Sequence, residues 1–224
     1  LTEELMSSLV KEVIGSSKLT FGEHEISFEA PFKRMTIREA VLANTDLKEA
    51  DLDNPDKMIK LLSTLPEIDK KALTKMSSAK LMVMCFEEFA EAKLIQPTFI
   101  TQYPTEVSPL SRRNDEDPRY VDRFEFFING WEMANAFSEL NNPTDQLERF
   151  AEQAEMKEQG DEEACDVDYD YVRALEYGMP PAAGWGLGVD RLCMILTNSP
   201  TIRDVILFPQ LKKENFFEQE IVEE

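Results

Sequence analysis

The amino-acid sequence predicts an α+β fold that combines antiparallel β-hairpins with helices, and three patterns support this prediction. Residues 124–128 and 131–134 flank Asn129-Gly130, a pair typical of tight hairpins because both central residues of a type I′ turn need positive φ angles. Residues 39–95 repeat apolar side chains at helical spacing between charged ones. Glycine at every second position of residues 184–188 indicates an extended strand with one bare face.

Length and composition indicate a folded globular protein. The 224 residues, 42% of them hydrophobic, suffice for one domain with a full core and an inserted subdomain. We find neither a signal peptide nor an apolar run near the roughly 18 residues that span a bilayer, so we expect a cytoplasmic protein without a membrane partner. Cys85, Cys165 and Cys193 show no metal or redox spacing, which agrees with free thiols in a reducing compartment.

The charge balance limits the possible partners of the chain. Its 24 basic and 44 acidic residues give a formal net charge of −20. A field of this sign repels polyanions at long range, so we do not expect the chain to bind nucleic acid by itself. Any contact with RNA must be local or come from a part of the protein outside this chain.

The N-terminal residues predict a helix followed by a hairpin. Residues 2–14 place apolar side chains on one stripe at helical spacing, and Gly15 ends the run. Residues 19–21 and 26–28 then alternate around Gly22-Glu23, which predicts two antiparallel strands.

A helical segment follows the first hairpin. Thr36-x-x-Glu39 is a capping box, so a helix should start directly after Thr36. The final helix of the segment should begin near Ser77 or Ser78. We interpret residues 39–95 as a helical insertion without a catalytic constellation of its own.

The pattern changes at Pro97. Residues 98–103 predict a strand, which precedes the hairpin around Asn129-Gly130. Asn142 should cap a helix that ends at Gly160, and a shorter helix should occupy about residues 169–177. Asp190 can cap the helix after the glycine-rich strand.

Two glutamates flank the Asn-Gly turn among aromatic residues, where a bare carboxylate is costly to bury. In a hairpin with regular pairing, Glu125 faces Ala134, and Glu125 and Glu132 then point to the same face of the sheet. Paired carboxylates suit Mg²⁺, which usually completes its shell with water and substrate phosphates. The alternative is an edge hairpin that presents its polar face to water.

The next segment predicts a small pocket. Alternation along Asn135-Ala-Phe137-Ser-Glu139 puts an amide, an aromatic ring and a carboxylate on one face, which suits a small cationic ligand. An ordinary strand would show the same alternation.

One spacing conflicts with a single shared site. Glu132 and Asn135 differ by three positions, so a regular strand would place them on opposite faces. If both serve one site, a β-bulge must lie near Met133 or Ala134.

The glycine-rich strand predicts a nucleotide contact. Its bare face, at Gly184, Gly186 and Gly188, allows a flat ring to lie against the backbone. Arg191 follows just inside the next helix, where its fork of donors could reach a phosphate. The spacing matches neither the dinucleotide-binding fingerprint nor the P-loop.

Taken together, these segments resemble the class IIb aminoacyl-tRNA synthetases, and specifically the lysyl-tRNA synthetases. The resemblance extends to about Leu211. Residues 184–191 and 202–209 resemble motif 3 of that class. The segments that resemble the lysyl family are residues 94–100, 106–110, 122–128, 135–140 and 177–181.

The resemblance implies part of the class II catalytic fold, in which an antiparallel sheet is flanked by helices. Residues 1–38 and 96–211 would form the C-terminal half of the catalytic domain, interrupted by the helical insertion at 39–95. Residues 212–224 would be an acidic tail.

The resemblance also implies a reaction: ATP activates lysine to lysyl-adenylate, and the lysyl group passes to tRNA(Lys). Asn135 and Phe137 would line the lysine pocket, and Glu139 would pair with the ε-ammonium group of lysine.

On the ATP side, the resemblance implies a magnesium site. Glu125 and Glu132 would hold Mg²⁺ on the ATP phosphates. Gly186 and Gly188 would lie beside the nucleotide, and Arg191 would be the catalytic residue that binds the γ-phosphate.

The chain also departs from the family pattern. We find no counterpart of motif 1, of motif 2 with its α-phosphate arginine, or of the anticodon-binding barrel, so we expect a fragment of an enzyme whose intact form is a homodimer. Trp131 stands where many relatives have arginine, and Trp185 replaces a smaller residue; both are expected to narrow the site or alter ligand preference. Two alternatives stay open: a lysyltransferase paralogue that modifies a translation elongation factor, and a non-catalytic binding module.

Overall fold

The computed structural model describes residues 1–158, 160 and 164–210, and these form seven strands and eight α-helices. The strands are β1 (Lys18–Phe21), β2 (His24–Ser27), β3 (Lys33–Thr36), β4 (Thr98–Thr101), β5 (Arg123–Ile128), β6 (Trp131–Ser138) and β7 (Ala183–Leu187). The helices are α1 (Thr2–Ile14), α2 (Ile37–Asn44), α3 (Pro55–Leu62), α4 (Lys70–Leu73), α5 (Ser78–Phe89), α6 (Pro143–Glu158), α7 (Tyr169–Glu176) and α8 (Val189–Thr197). The predicted α+β class is confirmed.

Five strands form the main sheet in the order β3-β4-β5-β6-β7. All neighbouring pairs are antiparallel except β3, which runs parallel to β4. The sequence did not predict β3, because this short edge strand begins with Lys33-Arg34 and lacks a hydrophobic alternation. Short, charged edges of this kind resist pairing with other chains.

The turn between β5 and β6 has the predicted geometry. Asn129 and Gly130 have φ angles of 55° and 71°, both in the left-handed region that a type I′ turn requires. The backbone N–H of Gly130 donates to the carbonyl of Leu94 at 3.0 Å, and the N–H of Asn129 donates to the carbonyl of Ile95 at 3.0 Å. The end of the helical segment is therefore fastened to the tip of this hairpin.

The predicted bulge lies at Met133. Phe127 pairs with Glu132, but Phe126 pairs with Ala134, so Met133 is the extra residue. Glu125 consequently faces Asn135, and the pairing with Ala134 that a regular hairpin predicts is wrong. The physical reason is burial: Met133 and Ala134 are only 1% and 3% exposed, and both side chains enter the same core.

The sheet separates two cores. The face with Phe126 and Ile128 packs against α1, the β1–β2 hairpin and α8. The opposite face contributes Ile100 and Phe127 to the core of the helical segment, where the rings of Phe86 and Phe127 meet edge to face at 5.5 Å. The helices α2–α5 therefore cover one face of the sheet at the turn end of β5 and β6. The division of the chain at residues 38 and 95 stays a prediction.

Local signals set most helix starts correctly. Thr36 and Glu39 form both hydrogen bonds of the capping box. Ser77 caps α5, and the Asn142 side chain accepts from the N–H of Thr144 at 3.0 Å at the start of α6.

Some predicted boundaries differ from the structure, such as that of β2, which was predicted at residues 26–28 and spans His24–Ser27, and one segment lies outside it. The strand predicted to reach residue 103 ends at Thr101, because Gln102 adopts a φ angle of 59°. Asp190 does not cap α8, because Gly188 occupies the cap position. Asp190 lies in the first turn, where its negative charge interacts favourably with the positive end of the helix dipole. The predicted acidic tail, residues 212–224, lies outside the described residues.

The packing of the hairpin tip gives a stability prediction. A Cβ at Gly130 would lie 3.0 Å from Cα of Ala92, in addition to the strain of a φ angle of +71°. We expect Gly130→Ala to lower the free energy of unfolding by about 2–4 kcal/mol, the sum of left-handed strain and a steric clash. Gly22→Ala is the matched control, since Gly22 has φ +57° but no atom within 4 Å of such a Cβ. If urea denaturation shows the same loss of unfolding free energy for Gly130→Ala and Gly22→Ala, the contact with Ala92 does not contribute to the effect.

Candidate active site

One shallow cavity of about 220 Å³ lies at the junction of β6, β7 and α8. Five of the eight site residues that the sequence predicted line this cavity. The lining residues are Glu132, Met133, Ala134, Asn135, Gly186, Gly188 and Arg191. The structure therefore brings the ends of the predicted magnesium, lysine and nucleotide sites to one place.

The other three predicted residues lie outside this lining but on the same sheet face. Glu125 pairs with Asn135 across β5 and β6. Phe137 pairs with Arg123 on one side and with Gly184 on the other, and Glu139 follows it two residues later. Paired residues share a face of the sheet, so the bulge at Met133 aligns Glu125 with the Asn135–Glu139 alternation.

The carboxylate of Glu125 is held by two residues that the sequence analysis did not identify. Tyr103, which is 3% exposed, donates its hydroxyl to Oε2 of Glu125 at 2.7 Å. Arg123 donates to Oε1, and its guanidinium lies over the Tyr103 ring at 4.6 Å. Arg123 could have been found from its spacing, because residues two apart on a strand share a face. Tyr103 had no local signal, since it follows a different strand.

The charges around Glu125 oppose one another. Burial raises the pKa of Glu125, whereas the Arg123 charge and the Tyr103 hydroxyl lower it, and the Glu132 charge raises it again. Burial also raises the pKa of Glu91, and the charges of Glu125 and Glu132 raise it further. The negative charges of Glu125 and Glu132 thus act on each other and on Glu91, and a bound cation would relieve this repulsion.

The donor set fits a divalent cation that also binds phosphate. A carboxylate offers about four acceptor positions, and on Glu125 three are occupied by Tyr103, Arg123 and the Nδ2 of Asn135 at 3.4 Å. Within the described residues, no three acidic, histidine or cysteine side chains are close enough to bind a metal alone. Mg²⁺ is commonly held by one or two carboxylates with substrate phosphates completing its shell, so Glu125 and Glu132 suit it.

Arg191 is oriented by the backbone and not by an acidic side chain. As the third residue of α8 it is exposed, and it donates to the backbone carbonyl of Glu132. It forms no ion pair with any residue that the structure describes. Its charge is therefore available to an anion in the cavity.

Asn135 contributes an unsatisfied acceptor. Its Oδ1 atom is buried and has no hydrogen-bond partner. An unpaired buried acceptor costs roughly 1–3 kcal/mol, so a ligand N–H that donates to this atom would strengthen binding by removing that cost. An amino group is a suitable donor.

Neither tryptophan lines the cavity, so any effect of these residues on the site would have to be indirect. Trp131 packs edge to face against Phe21 at 5.2 Å, in the core on the other side of the sheet. Trp185 pairs with Ala136 and lies between glycines that face the cavity, so its own side chain points away.

A second cavity lies apart from the predicted site. This larger cavity of about 580 Å³ lies between the loop around Pro109 and α6, and it contains none of the predicted residues.

Among the described residues, every helix is too short or too polar to cross a membrane.

Comparison with known proteins gives consistent matches along the chain. Residues 1–212 match the family of class II tRNA synthetases (D, K and N). The heat-inducible lysine–tRNA ligase of Escherichia coli K12 is 52% identical over 217 residues, which cover 96% of this chain and 42% of that protein. The lysine–tRNA ligases of Ectopseudomonas mendocina and Pseudomonas putida are 51% and 52% identical over 215 and 219 residues, again 96% of this chain and 42% of each relative.

The chain thus spans about 42% of the length of the curated relatives it matches. The family match covers all of the described residues, including both hairpins, the helical segment and the cavity. The chain belongs to the class II tRNA synthetases of the D, K and N group.

Proposed function

We propose that the intact protein is a lysine–tRNA ligase, which joins lysine to ATP as lysyl-adenylate and then transfers the lysyl group to tRNA(Lys). The main support is the Met133 bulge, which aligns Glu125 with Asn135 while Glu132, Asn135 and Arg191 line one cavity. The names of the relatives support lysine as the amino acid.

The lysine side of the site would use the β6 residues beyond the bulge. Asn135 would accept a hydrogen bond from the ligand through its unsatisfied Oδ1, and the Phe137 ring would contact the aliphatic chain. Glu139 would pair with the ε-ammonium group, since a half-buried carboxylate needs a cationic partner.

The ATP side would use the carboxylates, the glycine-rich strand and α8. Glu125 and Glu132 would hold Mg²⁺, which, when bound, offsets charge on the phosphate oxygens. Gly186 and Gly188 would allow the nucleotide to approach the backbone, and Arg191 would bind the γ-phosphate.

Adenylate formation would proceed by attack of the lysine carboxylate on the α-phosphate. The new bond joins a carboxylate oxygen to the α-phosphorus, and the bond to the bridging oxygen breaks, so that pyrophosphate leaves with the electron pair. The residues of this chain would contribute by positioning and electrostatics: Asn135 and Glu139 orient lysine, and Arg191 holds the departing phosphates in line.

Partners of the intact protein follow from the same proposal. The net charge of −20 gives this chain little attraction for RNA, so tRNA(Lys) would be bound largely by other parts of the protein. The intact enzyme would be a homodimer that works in the cytoplasm.

The test of this function is lysine-dependent ATP–pyrophosphate exchange by the full-length protein, with aspartate and asparagine as the competing amino acids. We expect exchange with lysine alone, followed by charging of tRNA(Lys). Exchange with aspartate or asparagine instead would contradict the proposal. Exchange with lysine but no charging of tRNA would favour the elongation-factor lysyltransferase, and no exchange would favour a binding module.

The isolated 224-residue chain should show no exchange above background in the same assay. It contains no counterpart of the motif 2 arginine that contacts the α-phosphate, and losing such a charge-assisted contact costs about 1.5–3 kcal/mol. The adenine pocket would also lack its opposite wall, which leaves apolar surface in water. Robust exchange by this chain would show that the missing contacts are dispensable or come from residues within it.

A further inference from the structure

The three glycines of motif 3 have different neighbours on their bare faces. A Cβ at Gly184 would lie 2.2 Å from Oε1 of Glu139 and 3.4 Å from its Cδ. A Cβ at Gly186 would meet no atom closer than the backbone oxygen of Asn135 at 4.0 Å. A Cβ at Gly188 would make only ordinary contacts of 3.5–3.6 Å with Arg191 and Met133. Of these three positions, Gly184 alone has its side-chain space filled by a protein carboxylate.

The pairing of β6 with β7 produces this contact. Phe137 pairs with Gly184, and Ser138 pairs with Ala183. Beyond the strand, the N–H of Glu139 donates to the carbonyl of Ala182 at 3.0 Å, so the two segments continue side by side. Alternation puts Glu139 on the same face as Phe137, and its side chain therefore lies across the bare Cα of Gly184.

The backbone of Glu139 is held by neighbouring segments on both sides. Its backbone is also bridged to Ser111 on the side away from β7. Burial raises the pKa of Tyr171 on α7, and the negative charge of Glu139 raises it further. The Glu139 carboxylate thus lies directly over the Cα of Gly184.

We propose that Gly184 is a specificity-determining residue of the amino-acid pocket. Its bare Cα seats the Glu139 carboxylate against the sheet, and this leaves the space above it for a long cationic side chain. The first glycine of motif 3 therefore serves the amino acid, whereas Gly186 serves the nucleotide. This inference rests on the proposed function, and it assigns to Gly184 a role in choosing the length of the substrate.

The expected direction of the effect follows from geometry. A methyl group at residue 184 would take the place of the carboxylate oxygen, so we expect the flexible end of Glu139 to turn away from the sheet, towards the space that the lysine chain would fill. A shift from 2.2 Å to an ordinary contact distance exceeds 1 Å. Displacements of that size at a substrate-positioning group cost on the order of 100-fold in rate, and one methylene changes discrimination by roughly 10–200-fold.

The experiment compares Gly184→Ala and Gly186→Ala in the full-length protein by ATP–pyrophosphate exchange. For Gly184→Ala we expect at least a 10-fold higher KM for lysine and a KM for ATP within about 2-fold of the parent value. We also expect the kcat/KM ratio of ornithine, which is one methylene shorter, to lysine to rise at least 10-fold. For Gly186→Ala we expect the KM for ATP to rise and the ornithine-to-lysine ratio to stay constant.

A second variant separates the proposed contact from a general packing defect. In the double variant Gly184→Ala/Glu139→Asp, the shorter carboxylate avoids the added methyl group. The fall in kcat/KM for lysine should therefore be smaller in the double variant than the product of the falls in the two single variants. If Gly184→Ala gives no folded protein, recovery of folding in the double variant supports the clash, and failure of both overturns it. Unchanged lysine KM and ornithine ratio, or equal rises in both KM values without a change in ratio, would also overturn the proposal. A parent protein without any lysine-dependent exchange would instead refute the proposed function.

Discussion

Glu139→Gln in the full-length protein should raise the KM for lysine, or lower kcat/KM for lysine, by a factor of ten or more. Glutamine keeps the shape of glutamate but removes the charge, and a tenfold loss corresponds to about 1.4 kcal/mol of transition-state stabilisation. Glu139 is half-buried and its carboxylate lies over Gly184, so water only partly screens its attraction for an ammonium group.

The control for this variant is Glu148→Gln, an exposed position on α6 that changes the net charge by the same amount. We expect the control to leave both KM values unchanged. Glu139→Gln should leave the KM for ATP close to that of the parent protein. Unchanged lysine kinetics in Glu139→Gln would remove Glu139 from the pocket.

Arg191→Ala should cause the larger loss, with kcat/KM for ATP falling by about 100–1,000-fold, the range seen when one preorganised donor to a developing charge is removed. The arginine is held by the Glu132 carbonyl and pairs with no described acidic side chain, so its charge is free to meet a phosphate. Exchange kinetics at varied ATP and fixed, saturating lysine measure the effect.

Two comparisons make this prediction specific. Arg191→Lys should recover only part of the activity, because lysine keeps the charge but loses the planar fork of donors. The thermal unfolding midpoint should change little in both variants, since Arg191 is exposed and its hydrogen bond to the Glu132 carbonyl lies at the surface end of the site. A loss confined to the lysine KM would contradict a phosphate contact.

The sequence alone identified those elements whose structure depends only on residues adjacent in the chain. Asn129-Gly130 requires positive φ angles wherever it closes a hairpin, and the structure has them. The capping box at Thr36 and Glu39 acts within one helical turn, and it formed as predicted. The strand of residues 184–188 was found for the same reason, because alternation is visible in the sequence itself.

The bulge is an intermediate case. The odd spacing of Glu132 and Asn135 required a bulge only if both serve one site, so the resemblance to a known family supplied the necessary assumption. Its position at Met133, and the pairing of Glu125 with Asn135, came from the structure. Two adjacent buried side chains, Met133 and Ala134, decided the register by entering one core.

The sequence by itself therefore determined the α+β class, most of the helices and strands, and the candidate residues of the cavity. Only the tertiary structure decided that Tyr103 and Arg123 hold Glu125, that the charges of Glu125 and Glu132 raise the pKa of Glu91, and that the Glu139 carboxylate lies over Gly184. Turns, caps and alternation are fixed by short-range sterics and hydrogen bonds, which a local pattern records. Contacts between strands separated by tens of residues depend on register and burial, and no short segment of the chain contains that information.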